Sequence, residues 1–331
     1  MEWFQTFLVL SVAGSFLAGI LLALKRWTGK QFSPTWQYVL WVGVLLVMVV
    51  PVSVKVPALV QPMQEKQVVQ TVPLPAEQTM TEQPVPVDTV EAPAGEILPF
   101  TEETALPPIP WWDVLAVLWV LGALGSLGYR LTGYFRFGRY IRRTGKPMEL
   151  AGVPKRLRVC KTSAAVSPMV MGMIRPVLIL PETALTESRL PYVLRHELVH
   201  YRRGDIFWRW LAVLATSIHW FNPMVYVAAA QMQEACEISC DWCVVRSMEQ
   251  AKRDDYMRVI LELLAEAMAK KQILTTQMAS EKKQLQRRFT MIRNQKPVGM
   301  KKLLLSVCVG TALLGAAWLT GCTLRETYVT K

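Results

Sequence analysis

The sequence predicts a mainly α-helical membrane protein, with four transmembrane helices and one cytoplasmic α+β domain. Three observations carry that prediction. Of 331 residues, 52% are hydrophobic and only 19% charged, below the roughly 25% charged residues of an average soluble protein. Uncharged runs of membrane-crossing length recur along the chain. The charges are also segregated: basic residues gather in two regions and acidic ones in a third, for a net +12. This composition excludes disorder over most of the chain and argues against an ordinary cytosolic enzyme. Six cysteines in such a length do not make a small secreted disulfide framework.

The first uncharged run extends from Trp3 to Leu24 and the second from Gln31 to Val54, with its helix expected at 34–54. About 20 apolar helical residues cross a bilayer core of about 30 Å. A third span is expected at 107–129, with Trp111 and Trp112 as interfacial anchors and Gly122, Gly125 and Gly128 on one side for close helix packing. A fourth follows in 301–331, from Leu303 to Leu324, with a short extracytoplasmic tail. Glu2 precedes the first run, and Lys25 and Arg26 follow it. That is the reverse of a secretory signal, so the run is expected to stay as a span with its N-terminus outside.

Loop charges set the orientation. The short loop Lys25–Lys30 holds Lys25, Arg26 and Lys30 and is expected inside the cell. Residues 56–110 hold eight acidic residues, a single Lys (Lys66) and 11 of the 21 prolines, which predicts an extended extracytoplasmic loop over 56–106. Residues 129–302 hold 30 Lys and Arg against 14 acids, which places the 130–300 domain in the cytoplasm. Its opening stretch, Arg130 to Lys146, interleaves arginines with Tyr134, Phe135, Phe137 and Tyr140. Such a segment can bind RNA, but anionic lipid headgroups account for it more simply. Short strands are expected at Arg156–Cys160, Met169–Met171 and Val177–Leu180, punctuated by Gly172 and Pro176.

The chemistry lies in His196-Glu197-Leu198-Val199-His200. Residues four apart share a helix face, so both imidazoles can reach one metal ion. One catalytic Zn²⁺ suits two imidazoles plus a carboxylate and leaves a position for water, whose proton Glu197 can take. The third ligand is sought in Glu234-Ala-Cys-Glu237-Ile-Ser-Cys240-Asp241. Glu237 can bind the metal while Asp241, four residues on, supports a ligand from behind; Glu234 is the alternative ligand. Cys236, Cys240 and Cys243 can form a separate thiolate site or remain small buried thiols, the simpler reading in a reducing cytoplasm.

A constraint follows. Trp210–Gln233 is a further uncharged run, about 36 Å long as a straight helix. A true span would put His196 and Glu237 on opposite sides of the membrane. The run must therefore turn back, and His219-Trp220-Phe221-Asn222-Pro223 supplies the break. A helical hairpin, 206–221 and 223–245, is expected. His219 can reach the cleft as a transition-state donor or simply pack at the turn.

The ordered motifs His196-Glu-Leu-Val-His200-Tyr-Arg-Arg203-Gly204-Asp205, Trp220-Phe221-Asn222-Pro223 and Glu237-x-x-Cys240-Asp241 resemble the BlaR/MecR-type antirepressor membrane metallopeptidases. Gly172-x-x-Arg175-Pro176, Leu180-Pro181, Trp41 and Pro51 also fit the pattern. The resemblance covers about residues 1–320. It implies a gluzincin-like, zincin-type cytoplasmic domain held between helices of a bacterial cell membrane. His196, His200 and Glu237 would be ligands and Glu197 the base. Asp241 would stand behind the ligands, and Arg203 and Asp205 would secure the metal-binding helix. The function implied is cleavage of a cytoplasmic protein, a winged-helix repressor, in transmembrane signalling, with Val177–Leu180 aligning the substrate as an added strand. A non-catalytic membrane scaffold and a general quality-control protease are the alternatives.

The family's β-lactam sensors continue into an extracellular penicillin-binding domain, whereas this sequence stops at Lys331. Ser280-x-x-Lys283 falls in the cytoplasmic part without a Lys-Thr-Gly partner. The signal is therefore expected through the acidic loop, the spans or a separate sensor protein. A second copy of the chain is an open partner, and no direct contact with nucleic acid is expected. Leu319-Thr320-Gly321-Cys322 reads as an ordinary span end, with lipidation of Cys322 as the alternative.

Overall fold

The computed structural model describes residues 2–50, 111–182, 186–270 and 275–293, together with Gly310, Thr311 and Gly315. The acidic loop, nearly all of the fourth expected span and Cys322 lie outside the described residues. The chain opens with helices α1 (Glu2–Gln31), α2 (Pro34–Val49) and α3 (Trp111–Thr144). Strands β1 (Lys146–Met148), β2 (Arg158–Thr162), β3 (Met169–Met171) and β4 (Val177–Pro181) follow. Helices α4 (Leu190–Arg203), α5 (Asp205–Ile218), α6 (Pro223–Val245), α7 (Gln250–Lys270) and α8 (Thr275–Arg293) complete it.

Two helices among the described residues are long and apolar enough to cross a membrane, at Phe4–Lys25 and Trp111–Thr144. α2 is a shorter apolar helix. The loop expected at Lys25–Lys30 is instead the last turns of α1, because nothing in Lys25–Gln31 breaks a helix. The break comes at Ser33-Pro34, where the Ser33 hydroxyl accepts from the Trp36 amide (3.2 Å) and Pro34 occupies the first turn of α2. The basic-aromatic stretch after the third expected span is likewise a continuation of helix: α3 runs unbroken to Thr144, about 51 Å. Its C-terminal end docks, with Tyr134 edge-on to Trp210 at 4.9 Å and Ile141 buried against Ile179 of β4. Of the three glycines expected to pack closely, Gly122 lies so tightly on Trp220 that a Cβ would be 2.4 Å from its ring, whereas Gly125 and Gly128 have nothing within 4 Å.

The sheet has the order β1-β2-β4-β3, with β2 and β4 parallel and both outer pairs antiparallel. β4 is therefore an inner strand with both edges taken, so Val177–Leu180 cannot receive an added strand. The edges are β1 and β3. β1 was not expected from the sequence; its Lys-Pro-Met carries no alternating apolar pattern, and it exists by pairing with β2. Leu178 and Leu180 pack under α4 through Val193, with Val259 of α7 alongside.

α5 and α6 form a hairpin. The chain reverses at 219–222, and Asn222 caps α6 by accepting from the Met224 amide at 2.8 Å, with Pro223 in the first turn. Polar groups at the tip are met by neighbouring helices: the Asn222 amide donates to Ser11 Oγ (2.7 Å) and Ser15 Oγ (2.8 Å), and His219 Nε2 donates to the Met48 carbonyl (2.9 Å). α2 lies between α1 and this hairpin, with Val44, Leu45 and Met48 fully buried.

Candidate metal centre

The site begins at the corner between α4 and α5. Gly204 sits there at φ 66°, a left-handed conformation that glycine adopts without strain, so α4 can end and α5 begin within one residue. This brings Asp205 back onto His200: Asp205 Oδ2 accepts from His200 Nδ1 at 2.6 Å. On the same face of α4, His196 Nδ1 donates to the Tyr256 hydroxyl (2.7 Å), which donates onward to Asp241 Oδ1 (2.7 Å).

These contacts fix the tautomers. With each Nδ1 carrying its proton toward an acceptor, each Nε2 presents a lone pair. The two Nε2 atoms converge at 3.1 Å. Glu237 of α6 completes the triangle, with Oε2 3.6 Å from His196 Nε2 and Oε1 3.8 Å from His200 Nε2. A tetrahedral ion with bonds of about 2.0–2.1 Å has ligand separations of about 3.3–3.4 Å. Each imidazole nitrogen has one Glu237 oxygen near such a separation, so the three side chains are a candidate ligand set, and the outer nitrogens are held as metal-ligating histidines require. Two groups containing thiols also cluster within 4.8 Å, namely His196, His200 and Cys240, and His200, Asp205 and Cys236. Yet Cys240 Sγ approaches Nδ1 of His196 (3.7 Å) and Cys236 Sγ approaches Nδ1 of His200 (3.9 Å). Both thiols thus come nearest the nitrogens opposite the converging pair, and Glu237 is the candidate third donor.

The electrostatics favour positive charge here, as a proton on these rings or as a cation that takes its place. Burial opposes a charged imidazole at His196 and His200. Cys240, Tyr256 and Asp241 around the first, and Asp205 around the second, outweigh burial and push both well above the usual histidine range. Burial would likewise raise Glu237, but the two histidines hold it well below the usual carboxylate range. Burial would raise Asp241 too, and Arg288 instead holds it down to about 2. The pocket is built to hold positive charge beside fixed carboxylates, a demand that a divalent cation meets.

Around this centre is a cavity of about 450 Å³. His196, Glu197, His200, Arg209 and Glu237 form its polar floor; Met169 and Val170 of β3 and Val259, Ile260 and Leu263 of α7 form its apolar walls. Glu197 is buried and opens into it.

A family model described as BlaR1 peptidase M56 matches residues 5–292. The chain belongs to that family. Among individual relatives, Regulatory protein BlaR1 of Bacillus licheniformis is 29% identical over 153 residues, which cover 45% of this chain and 26% of the relative. Methicillin resistance mecR1 protein of Staphylococcus aureus is 26% identical over 166 residues, covering 45% of this chain and 28% of the relative. The chain thus spans little more than a quarter of the length of these curated relatives. M56 membership makes the protein a member of a metallopeptidase family, and His196 and His200, with Glu237 or the neighbouring thiols, form a candidate metal site.

Two residues singled out in the sequence lie away from this M56 site. Glu234 is turned toward Lys25 (2.9 Å) and Arg287, which occupy both of its oxygens. His219 is fully buried at the hairpin tip, separated from Asp205 by the whole of α5, about 20 Å, and so cannot act in the cleft. Arg203 contacts Asp205 (3.3 Å) and donates to Ser239 Oγ (3.0 Å), tying α4 to α6. Sequence reasoning missed four contributors. Tyr256 and Arg288 grip Asp241, the latter through two hydrogen bonds of 2.6 and 2.8 Å. Arg209 donates to Glu237 Oε1 at 3.0 Å, and Tyr38 reaches Asp205. None of the four falls in a motif or at a ligand spacing that would announce it.

Proposed function

We propose that the chain is an integral-membrane, zinc-dependent endopeptidase that cleaves a cytoplasmic protein, a transcriptional repressor, in transmembrane signalling. The observation that supports this best is the convergence of His196 Nε2, His200 Nε2 and the Glu237 carboxylate on the floor of a cleft that also holds Glu197. The words "regulatory" and "methicillin resistance" in the names of the two relatives favour signalling over general membrane proteolysis.

Zinc held by His196, His200 and Glu237 would supply the Lewis acid that polarises a peptide carbonyl and acidifies water. Glu197, adjacent to the first ligand and buried in the cleft, takes the proton of the attacking water and returns it to the leaving amine. Asp205 and Tyr256 hold the two imidazoles in the ligating tautomer. β3 offers an unpaired sheet edge along the cleft, where an extended substrate adds as a strand and its side chains meet the apolar wall of α7.

The test is Glu197→Gln in the full-length chain. Zinc uptake is expected to stay at the wild-type level while cleavage of the repressor falls by about 10²–10⁴-fold, the range for loss of a general base. Equal signalling by variant and wild type would overturn the enzymatic reading in favour of a scaffold.

A further inference from the structure

Tyr38 lies in the second turn of α2, an apolar helix with no polar residue after it as far as Val49. It is only 5% exposed and does not line the cleft. Its hydroxyl donates to Asp205 Oδ1 at 3.0 Å, while the other oxygen of the same carboxylate accepts from His200 Nδ1 at 2.6 Å. The Arg203 guanidinium stacks over the Tyr38 ring at 4.8 Å and contacts Asp205 Oδ1 at 3.3 Å. A second link from the same helix runs beside the first: Ser239 Oγ donates to Thr35 Oγ1 (3.1 Å) and accepts from Arg203 (3.0 Å).

A carboxylate behind a ligating histidine sets that ring's orientation only if its own two oxygens are held. Here one oxygen faces the ring, and the other is held from outside the α4–α5 corner by α2 and Arg203. The phenol is the one neutral donor in that set, and its rigid ring reaches Asp205 with few rotamers to freeze. A substitution that removes the hydroxyl alone leaves the packing of α2 intact.

We propose that Tyr38 is a positioning residue of the metal centre, acting through Asp205 on His200, so that α2 is a structural part of the centre as well as an apolar helix. The inference rests on the zinc reading above and extends it to a residue nearly 160 positions before the first ligand. It also gives α2 a route to the metal: a shift of this helix reaches His200 through two hydrogen bonds.

The test measures affinity for zinc itself, by chelator competition, in the full-length chain in detergent. Wild type, Tyr38→Phe, Asp205→Asn and the double variant are compared. Loss of a direct partner of a ligating histidine costs about 10–100-fold in metal affinity, which is the expectation for Asp205→Asn. Tyr38→Phe, one bond further out, is expected to weaken zinc binding by about 3–10-fold. The double variant is expected to be no weaker than Asp205→Asn alone, because the phenol acts only through that carboxylate. At saturating zinc, KM is expected to be unchanged, as Tyr38 does not touch the cleft. Zinc affinity within twofold of wild type in Tyr38→Phe would overturn the proposal, as would losses that multiply with those of Asp205→Asn. Wild type that takes up no zinc would instead overturn the zinc reading.

Discussion

Asp241 stands behind the candidate site without lining its cavity. It is fully buried, and burying a carboxylate is costly unless its oxygens are occupied. Arg288 and Tyr256 occupy them, and the phenol then hands the polarity on to His196 Nδ1. Removing one member of a buried ion pair leaves the other charge uncompensated. Arg288→Ala is therefore expected to cost about 3–5 kcal/mol of stability, read as a lowered thermal midpoint of the purified protein. Tyr256→Phe keeps the ring and removes only the relay. Its expected signature is a loss of zinc affinity of about 10–100-fold with a near-normal midpoint. At this scale the sequence was legible where chemistry and spacing coincide. His196 and His200 share one helix face, with Glu197 next to the first of them. Glu237 and Asp241 were reachable by the same four-residue logic. Tyr256 and Arg288 were not, because they join the site from helices 60 to 90 residues away by tertiary packing alone.

The hairpin of α5 and α6 is the element that carries the centre. Hydropathy counts Trp210–Gln233 as a span, and the requirement that His196 and Glu237 share a metal forbids it. Asn222-Pro223 is a strong helix start in the middle of the run, and that is where α6 begins. The strand pattern was less legible. β1 has no alternation to reveal it, and which strand is the sheet edge depends on a β2–β4 pairing that no local sequence encodes. Glu234 shows the same limit. Its spacing made it a candidate ligand, yet it joins α6 to Lys25 of α1 and Arg287 of α8. Burial would raise its carboxyl, and the hydrogen bonds from these two cations instead hold it below its ordinary 4.5. A depressed folded value means that the tie contributes fully above about pH 4.5 and is lost as the pH falls through that folded value. Wild type is therefore expected to melt above Glu234→Gln at pH 7, and the difference in midpoint should shrink toward zero below pH 4.5. A difference that persists in acid would show that the residue acts through packing and not through its charge.

At the scale of the whole molecule, the metal centre and the apolar helices form one body. α2 is wedged between α1 and the hairpin, and its polar residues Thr35 and Tyr38 lie at the end nearer the centre. At the other end the hairpin tip meets Ser11, Ser15 and Met48, where its polar groups find protein partners. The tip and the centre are separated by about 20 Å of α5, which sets the depth to which the hairpin enters between the apolar helices. This geometry makes a definite demand on topology. If Lys25 and the centre face the cytoplasm, the acidic stretch 56–110 must face outward and residues 146–182 inward. Cysteines placed one at a time at Gln78 and at Lys155, in a background with Cys160, Cys243, Cys308 and Cys322 replaced by Ala and the buried Cys236 and Cys240 kept, test this with a membrane-impermeant maleimide. Gln78→Cys is expected to be labelled in intact cells and Lys155→Cys only after lysis. The reverse pattern would put the cleft outside, where a cytoplasmic repressor cannot reach it. Labelling of both in intact cells would mean that the apolar helices do not form a barrier at all.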